Sequence, residues 1–123
     1  MEFRTRKWVS PGDLNPNGGL FGGRLLCWID EEAAIYAIGV LGNRRVVTKM
    51  MSEINFVSSG QQGDIVELGI TAIAFGRTSL TLRCEVRNQI TRRSILTIDR
   101  VVFVNMDEQG RPLPHGKSER DIE

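Results

Sequence analysis

At 123 residues the chain is long enough for one compact domain with a modest core and too short for two. Its 16 Lys and Arg stand against 15 Asp and Glu, so no global field draws it to nucleic acid or to a membrane surface, and any phosphate binding has to be local. No apolar run approaches a membrane span, MEFRTRKW lacks the apolar stretch of a signal peptide, and Cys27 and Cys84 have neither metal spacing nor a disulfide framework, so a cytoplasmic protein with both thiols reduced in its core is expected.

Glu2 to Val9 reads as a first strand, ended by the turn Ser10-Pro11-Gly12. The stretch from Asp13 to Ile38 then reads as a glycine-rich loop feeding a helix, with Gly22-Gly23 directly before good helix formers from Arg24 to Ile38. The first N–H groups of such a helix lack intrahelical partners and carry partial positive charge, which suits an anion or a developing oxyanion. Without side chains, Gly22 and Gly23 let a ligand approach that backbone. Asp30 is out of place, sharing a face with Leu26, Cys27, Ala33, Ala34 and Ala37, whereas Glu31 and Glu32 read as a solvated face. On the helix alone Asp30 is open to three readings: a functional carboxylate, a partly exposed helix position, or a structural hydrogen bond to the loop.

Gly39 and Gly42-Asn43 stop the helix, and Arg45 to Val57 is extended, followed by the polar turn 58–63. From Asp64 to Phe75 one face carries Val66, Leu68, Ile70, Ala72 and Ala74. After Gly76-Arg77, Leu80, Leu82, Cys84 and Val86 oppose Ser79, Thr81, Arg83, Glu85 and Arg87, the pattern of a half-buried strand. Asn88 to Arg93 makes a basic turn and Ser94 to Met106 a last long strand. The order of one strand, one long helix and a run of long strands gives an α+β fold, an antiparallel β-sheet wrapped around one long central helix. Residues 1–110 form a single domain and 111–123 a flexible C-terminal tail holding the one histidine, His115.

The run DLNPNGGLFGGRLLCWIDEEAAI from Asp13, RVVT at Arg45 to Thr48, GDIVEL at Gly63 to Leu68, GRTSL at Gly76 to Leu80 and VFVNMDEQGRPLP at Val102 to Pro114 together resemble the hotdog-fold acyl-CoA thioesterases, the acyl-CoA hydrolases. The resemblance spans most of the chain in one order. It implies a hotdog thioesterase domain whose substrate is an acyl-CoA, with no metal and no cofactor beyond the coenzyme A of the substrate. It also implies a homodimer through joined sheets, assembling into a tetramer or hexamer. Carried over residue by residue, it makes Asp30 the acidic group, acting as general base on water or as direct nucleophile through an anhydride. Gly22 and Gly23 would polarise the thioester carbonyl. Arg77, Thr78 and Ser79 would bind coenzyme A, with Arg92-Arg93 as a nearby basic turn, and Asn15 and Asn17 would be loop asparagines. Trp28, Met50, Met51 and Phe56 are candidates for an acyl tunnel shared with a partner subunit.

Gly22 and Asp30 are eight residues apart, about 12 Å along one helix axis, too far for a single carbonyl to touch both. A site shared between subunits is the economical solution. Two departures from the family pattern stand out: Gly19 where some relatives carry Asn or Asp, and Ser58-Ser59-Gly60 where the strand after the helix commonly reaches a proline. Two other readings compete. A non-catalytic acyl-CoA binding or sensing protein would have little need of a part-buried Asp30. A hotdog hydratase or dehydratase would require a histidine with a carboxylate, and His115 lies in the tail.

Overall fold

In the sequence, residues 79–88 alternate apolar with polar, and the fold is assembled around that strand. The computed structural model describes residues 1–122, with strands β1 (Phe3–Trp8), β2 (Val46–Phe56), β3 (Ile65–Phe75), β4 (Ser79–Asn88) and β5 (Ser94–Asn105), and one α-helix, α1 (Gly22–Leu41). The strands form one antiparallel sheet in the order β1-β3-β4-β5-β2. Central β4 buries Leu80, Leu82, Cys84 and Val86 as its alternation requires, and they pack with Leu96, Ile98, Val101 and Phe103 of β5.

The helix lies across this face. Leu25, Ile29, Ala33, Ala37 and Leu41 form an i, i+4 stripe buried against the sheet, and the two alanines let the helix sit close. Its flanks differ. On one side Thr5 Oγ1 of β1 donates to Glu32 at 2.7 Å and Ala72 N of β3 donates to the Tyr36 hydroxyl at 3.3 Å; on the other, Thr48 of β2 reaches Asp30. Gly42, at φ +67°, closes the helix by donating its N–H to Ile38 O at 2.8 Å.

Several expectations need correction. The helix runs from Gly22 to Leu41 rather than from Arg24 to Ile38, so Gly22 and Gly23 are its first turn and Gly39 is carried through with its face in open space. Cys27 is exposed, because the buried stripe passes through Leu25 and Ile29 and turns residue 27 outward. Glu32 is half-buried and paired with Thr5 instead of lying on a solvated face. The even alternation expected along β3 breaks at a register shift between Ala72 and Ala74, which leaves Ala74 exposed. Opposite that face Glu67 is buried, held by Arg87 at 2.6 Å and Arg92 at 3.0 Å.

Residues 111–122, expected as a flexible tail, bond back to the body: Leu113 N donates to Asn105 O, His115 N to Arg77 O, and Asn105 Nδ2 to Leu113 O. Glu123 lies outside the described residues.

Ile29 is 0% exposed at the centre of the helix–sheet contact. Ile29→Ala is expected to lower the unfolding free energy by about 2–5 kcal/mol, measured in denaturant at fixed protein concentration. A loss below about 0.5 kcal/mol would mean that the helix is not held through this stripe.

Candidate active site

The loop before the helix is built to hold the chain at one place. Asn15 Oδ1 accepts the N–H groups of Asn17 at 2.9 Å and Gly19 at 3.2 Å, a side-chain turn that closes the Pro16-Asn17-Gly18 tip. Asp13 Oδ2 accepts from Ser10 N and Ser10 Oγ, its Oδ1 lies 3.5 Å from Arg24 Nε in the helix's first turn, and its backbone O takes the N–H of Phe21. Gly19 is buried against the turn after β2, where an added Cβ would lie 2.5 Å from Ser59 Oγ. The two departures from the family pattern thus meet in space: Ser59 Oγ lies where a side chain at position 19 would begin.

Phe21 takes the N-cap position with no side-chain acceptor, and the first turn holds no acidic residue. Among the described residues the N–H groups of Gly22, Gly23 and Arg24 consequently meet no acceptor. Aromatic rings flank this helix start. A Cβ on Gly22 would lie 3.1 Å from Phe56 Cε1, and one on Gly23 would lie 3.2 Å from Phe21 Cε2. The combination is a set of unpaired donors at the positive end of a helix dipole, in partly apolar surroundings.

Asp30 lies two turns further along, half-buried on the β2 flank. Thr48 Oγ1 donates to its Oδ1 at 2.6 Å, and its Oδ2 has no partner among the described residues. One carboxylate oxygen is thus fixed and the other is free to accept a proton. Thr48 is the residue that sequence reasoning missed. It lay within the RVVT block, but nothing in strand periodicity says which residue of β2 meets a carboxylate 18 positions earlier.

The turn 76–79 lies at the opposite end of the sheet from the helix start. Gly76 N donates to Ser79 O, Asn105 N to Thr78 O and His115 N to Arg77 O. Ser79 Oγ stands where a Cβ on Gly76 would be, so a larger residue there would make the serine side chain turn away. The Arg77 guanidinium and the N–H groups of Arg77 and Thr78 have no partners among the described residues. Arg92-Arg93, expected to be near this turn, is not. It follows the far end of β4, about 30 Å away along the strand, and Arg92 is bound to Glu67.

Neither thiol suits a nucleophile. The hydrogen bond to Glu31 raises the Cys27 thiol above its ordinary value, and burial pushes Cys84 up to about 12, so both stay protonated at neutral pH. Among the described residues no cluster of His, Cys, Asp and Glu could hold a metal ion.

A family profile described as the thioesterase superfamily matches residues 17–95. The chain is similar to the acyl-CoA thioester hydrolase YciA of Salmonella typhimurium, at 30% identity over 92% of this chain and 89% of that protein. It is also similar to an uncharacterized acyl-CoA thioester hydrolase of Buchnera aphidicola, at 32% identity over 87% of this chain and 83% of that one. Its backbone is similar to the crystal structure of the hexameric thioesterase y2039 from Yersinia pestis, at 29% identity and a TM-score of 0.87, covering 95% of this chain and 97% of that one.

The hydrogen bonds from Ser10 N and Oγ, with the Arg24 charge, outweigh desolvation and hold the Asp13 carboxyl below its ordinary value of 3.8. A depressed native value contributes stability that is fully present above the unfolded value and is lost as pH falls through the native one. Wild type should therefore lose stability relative to Asp13→Asn below about pH 4, as followed by thermal unfolding from pH 6 to pH 3. Parallel curves for the two proteins would remove Asp13 from the clamp on the helix start.

Proposed function

The chain belongs to the thioesterase superfamily, and from that premise we propose that it hydrolyses acyl-CoA thioesters to free coenzyme A and a carboxylic acid, with Asp30 as general base. The observation that carries the proposal is the oriented carboxylate of Asp30, a half-buried residue, with one oxygen held at 2.6 Å by the exposed Thr48 and the other unpaired among the described residues. A protein that only bound acyl-CoA would gain nothing from an oriented, half-buried acid on an otherwise apolar helix flank. The hydratase reading loses its histidine: both ring nitrogens of His115 are engaged by backbone groups.

In the reaction, Asp30 takes a proton from water as the water oxygen attacks the thioester carbonyl carbon. The carbonyl π electrons move to oxygen, and the oxyanion is received by the free N–H groups of Gly22 and Gly23. Donors of this kind contribute on the order of 100- to 1000-fold in rate. The tetrahedral adduct collapses with cleavage of the C–S bond, and the coenzyme A thiolate recovers the proton from Asp30. No metal or redox cofactor takes part. Arg77, Thr78 and Ser79 offer unpaired donors and hydroxyls to the coenzyme's phosphates. Asn15 acts on binding by fixing the loop.

The axial separation of about 12 Å between Gly22 and Asp30 leads to a composite site, the helix start of one subunit facing Asp30 of its partner. The means of dimerisation is the open edge of β2, an 11-residue strand paired only with β5 and carrying exposed Val47, Met50 and Phe56. The proposed assembly is a hexamer of three such dimers, by likeness to the hexameric Yersinia protein. The proposed location is cytoplasmic. No helix among the described residues is long and apolar enough to cross a membrane.

Asp30→Ala should retain the fold and lose about 100- to 10,000-fold in turnover, measured by thiol release from acyl-CoA esters. Near wild-type turnover in a folded variant would end the assignment. Gly23→Val, which crowds the helix start, should also be nearly inactive. Mixing it with Asp30→Ala under subunit exchange should restore activity towards about a quarter of wild type, since half the subunit pairs are mixed and one of their two sites carries neither lesion. A verified mixed dimer as inactive as its parents would put both groups in one chain.

A further inference from the structure

The C-terminal segment returns over the turn between β3 and β4 and grips it by its carbonyls. His115 N donates to Arg77 O at 3.2 Å, and His115 Nε2 lies 2.8 Å from Ser79 O. Between them Asn105 N donates to Thr78 O at 2.7 Å, and Asn105 is itself tied to Leu113 through both its carbonyl and its side-chain amide. The second ring nitrogen fixes the tautomer. Lys117 N donates to Nδ1 at 2.9 Å, so Nδ1 is a bare acceptor and the proton of the neutral ring sits on Nε2, from which it is donated to Ser79 O. Phe75 packs edge-on to the ring at a centroid distance of 6.1 Å.

We infer that His115 is a positioning residue for coenzyme A, its backbone N–H holding Arg77 O and its ring Nε2 sharing Ser79 O with Gly76 N, so that these two carbonyls stay turned away from a phosphate on the turn. This rests on the reading of residues 77–79 as the coenzyme site. Its physical basis is the sign of the dipoles. A carbonyl oxygen rotated towards the ligand would repel a phosphate, whereas here Arg77 O is bound by His115 N, Thr78 O by Asn105 N, and Ser79 O by both Gly76 N and His115 Nε2, and the N–H groups of Arg77 and Thr78 and the Arg77 guanidinium have no protein partner among the described residues. His115 takes no part in the proton transfers, since both ring nitrogens are occupied by backbone groups.

The test is steady-state kinetics on the full chain with two thioesters of the same acid, one of coenzyme A and one of N-acetylcysteamine, which lacks every phosphate. His115→Leu should raise KM for the coenzyme A ester roughly 3- to 10-fold, about one hydrogen bond's worth of positioning, at unchanged kcat. The same variant should leave kcat/KM for the phosphate-free ester within about 2-fold. His115→Gln, whose amide N–H can still reach Ser79 O, should recover most of the loss. Arg77→Ala separates the two layers of the argument. If it leaves KM for the coenzyme A ester unchanged, the turn is not the coenzyme site and the inference falls with that reading. If it raises KM while His115→Leu does not, or if His115→Leu impairs both esters alike, the site stands and the positioning role is overturned. Should His115→Leu fail to fold, wild type decides. His115 is the only histidine, so ring nitrogen NMR gives a single set of signals. A fixed Nε2–H tautomer whose signals move on saturation with coenzyme A is expected; a ring that averages both tautomers, or that ignores the ligand, overturns the inference.

Discussion

The seam of Leu25, Ile29, Ala33 and Ala37 against the sheet is the contact on which the rest of this molecule depends. A helix with one buried stripe has two flanks, and burying this stripe decides what each flank meets. It turns Asp30 to the β2 side, where Thr48 waits, and Glu32 and Tyr36 to the β1 and β3 side, where Thr5 and the backbone of Ala72 take them up. It also leaves Cys27 and Ile35 facing outward on the uncovered side of the helix. The position of the acid is thus a packing result before it is a chemical one. Alanines at 33 and 37 bring the helix close enough for a short carboxylate to reach a threonine hydroxyl on a strand.

How far this was legible in the sequence differs from element to element, and the differences have physical causes. Strand β4 could be read residue by residue because one of its faces is apolar and the other polar along its whole length. Strand β3 could not. Its outer face buries Glu67 under two arginines, one from β4 and one from the turn after it, which alternation cannot reveal, and a bulge past Ala72 shifts its register and breaks the period of two. The helix start was misplaced by two residues because glycine propensity argues against a helix there. In the first turn, however, an N–H owes no intrahelical bond, and the placement is set by Phe21 N bonding to Asp13 O. Asp30 was visible as a carboxylate out of place on an apolar helix face, whereas the 76–79 turn stood out only through the family resemblance. Thr48 and His115 were not, because each acts through a contact made only when distant segments meet.

The loop before the helix is packed closely against the turn after β2. Ser59 Oγ lies where a Cβ at residue 19 would go, and Gly19 and Gln61 form a bridge between the loop and the turn. A larger residue at 19 would require the Ser59 hydroxyl to swing away, so the two positions are packed against each other. The consequence falls on the site. With no side chain at 19 to share the work, the acid–base duty in the proposed mechanism rests on Asp30, and the loop contributes only backbone.

The register of the sheet adds a step about how a substrate must lie. Thr48 pairs with Phe103, and Phe103 with Leu80, so the strand residue that holds Asp30 shares a row with the first core residue after the 76–79 turn. Two strand spacings separate them, roughly 10 Å. The helix start lies instead beside Phe56, at the other end of β2. Within one chain the acid is therefore close to the proposed coenzyme turn and remote from the free helix N–H groups. In the proposed mechanism a substrate whose phosphates rest on Arg77 and whose thioester meets Asp30 finds no free helix N–H group of the same subunit within reach of its carbonyl oxygen. On the proposed reading the unpaired donors of Gly22 and Gly23 would serve it from a second copy approaching along the β2 edge, and the strand edge that would otherwise be a liability would complete the site.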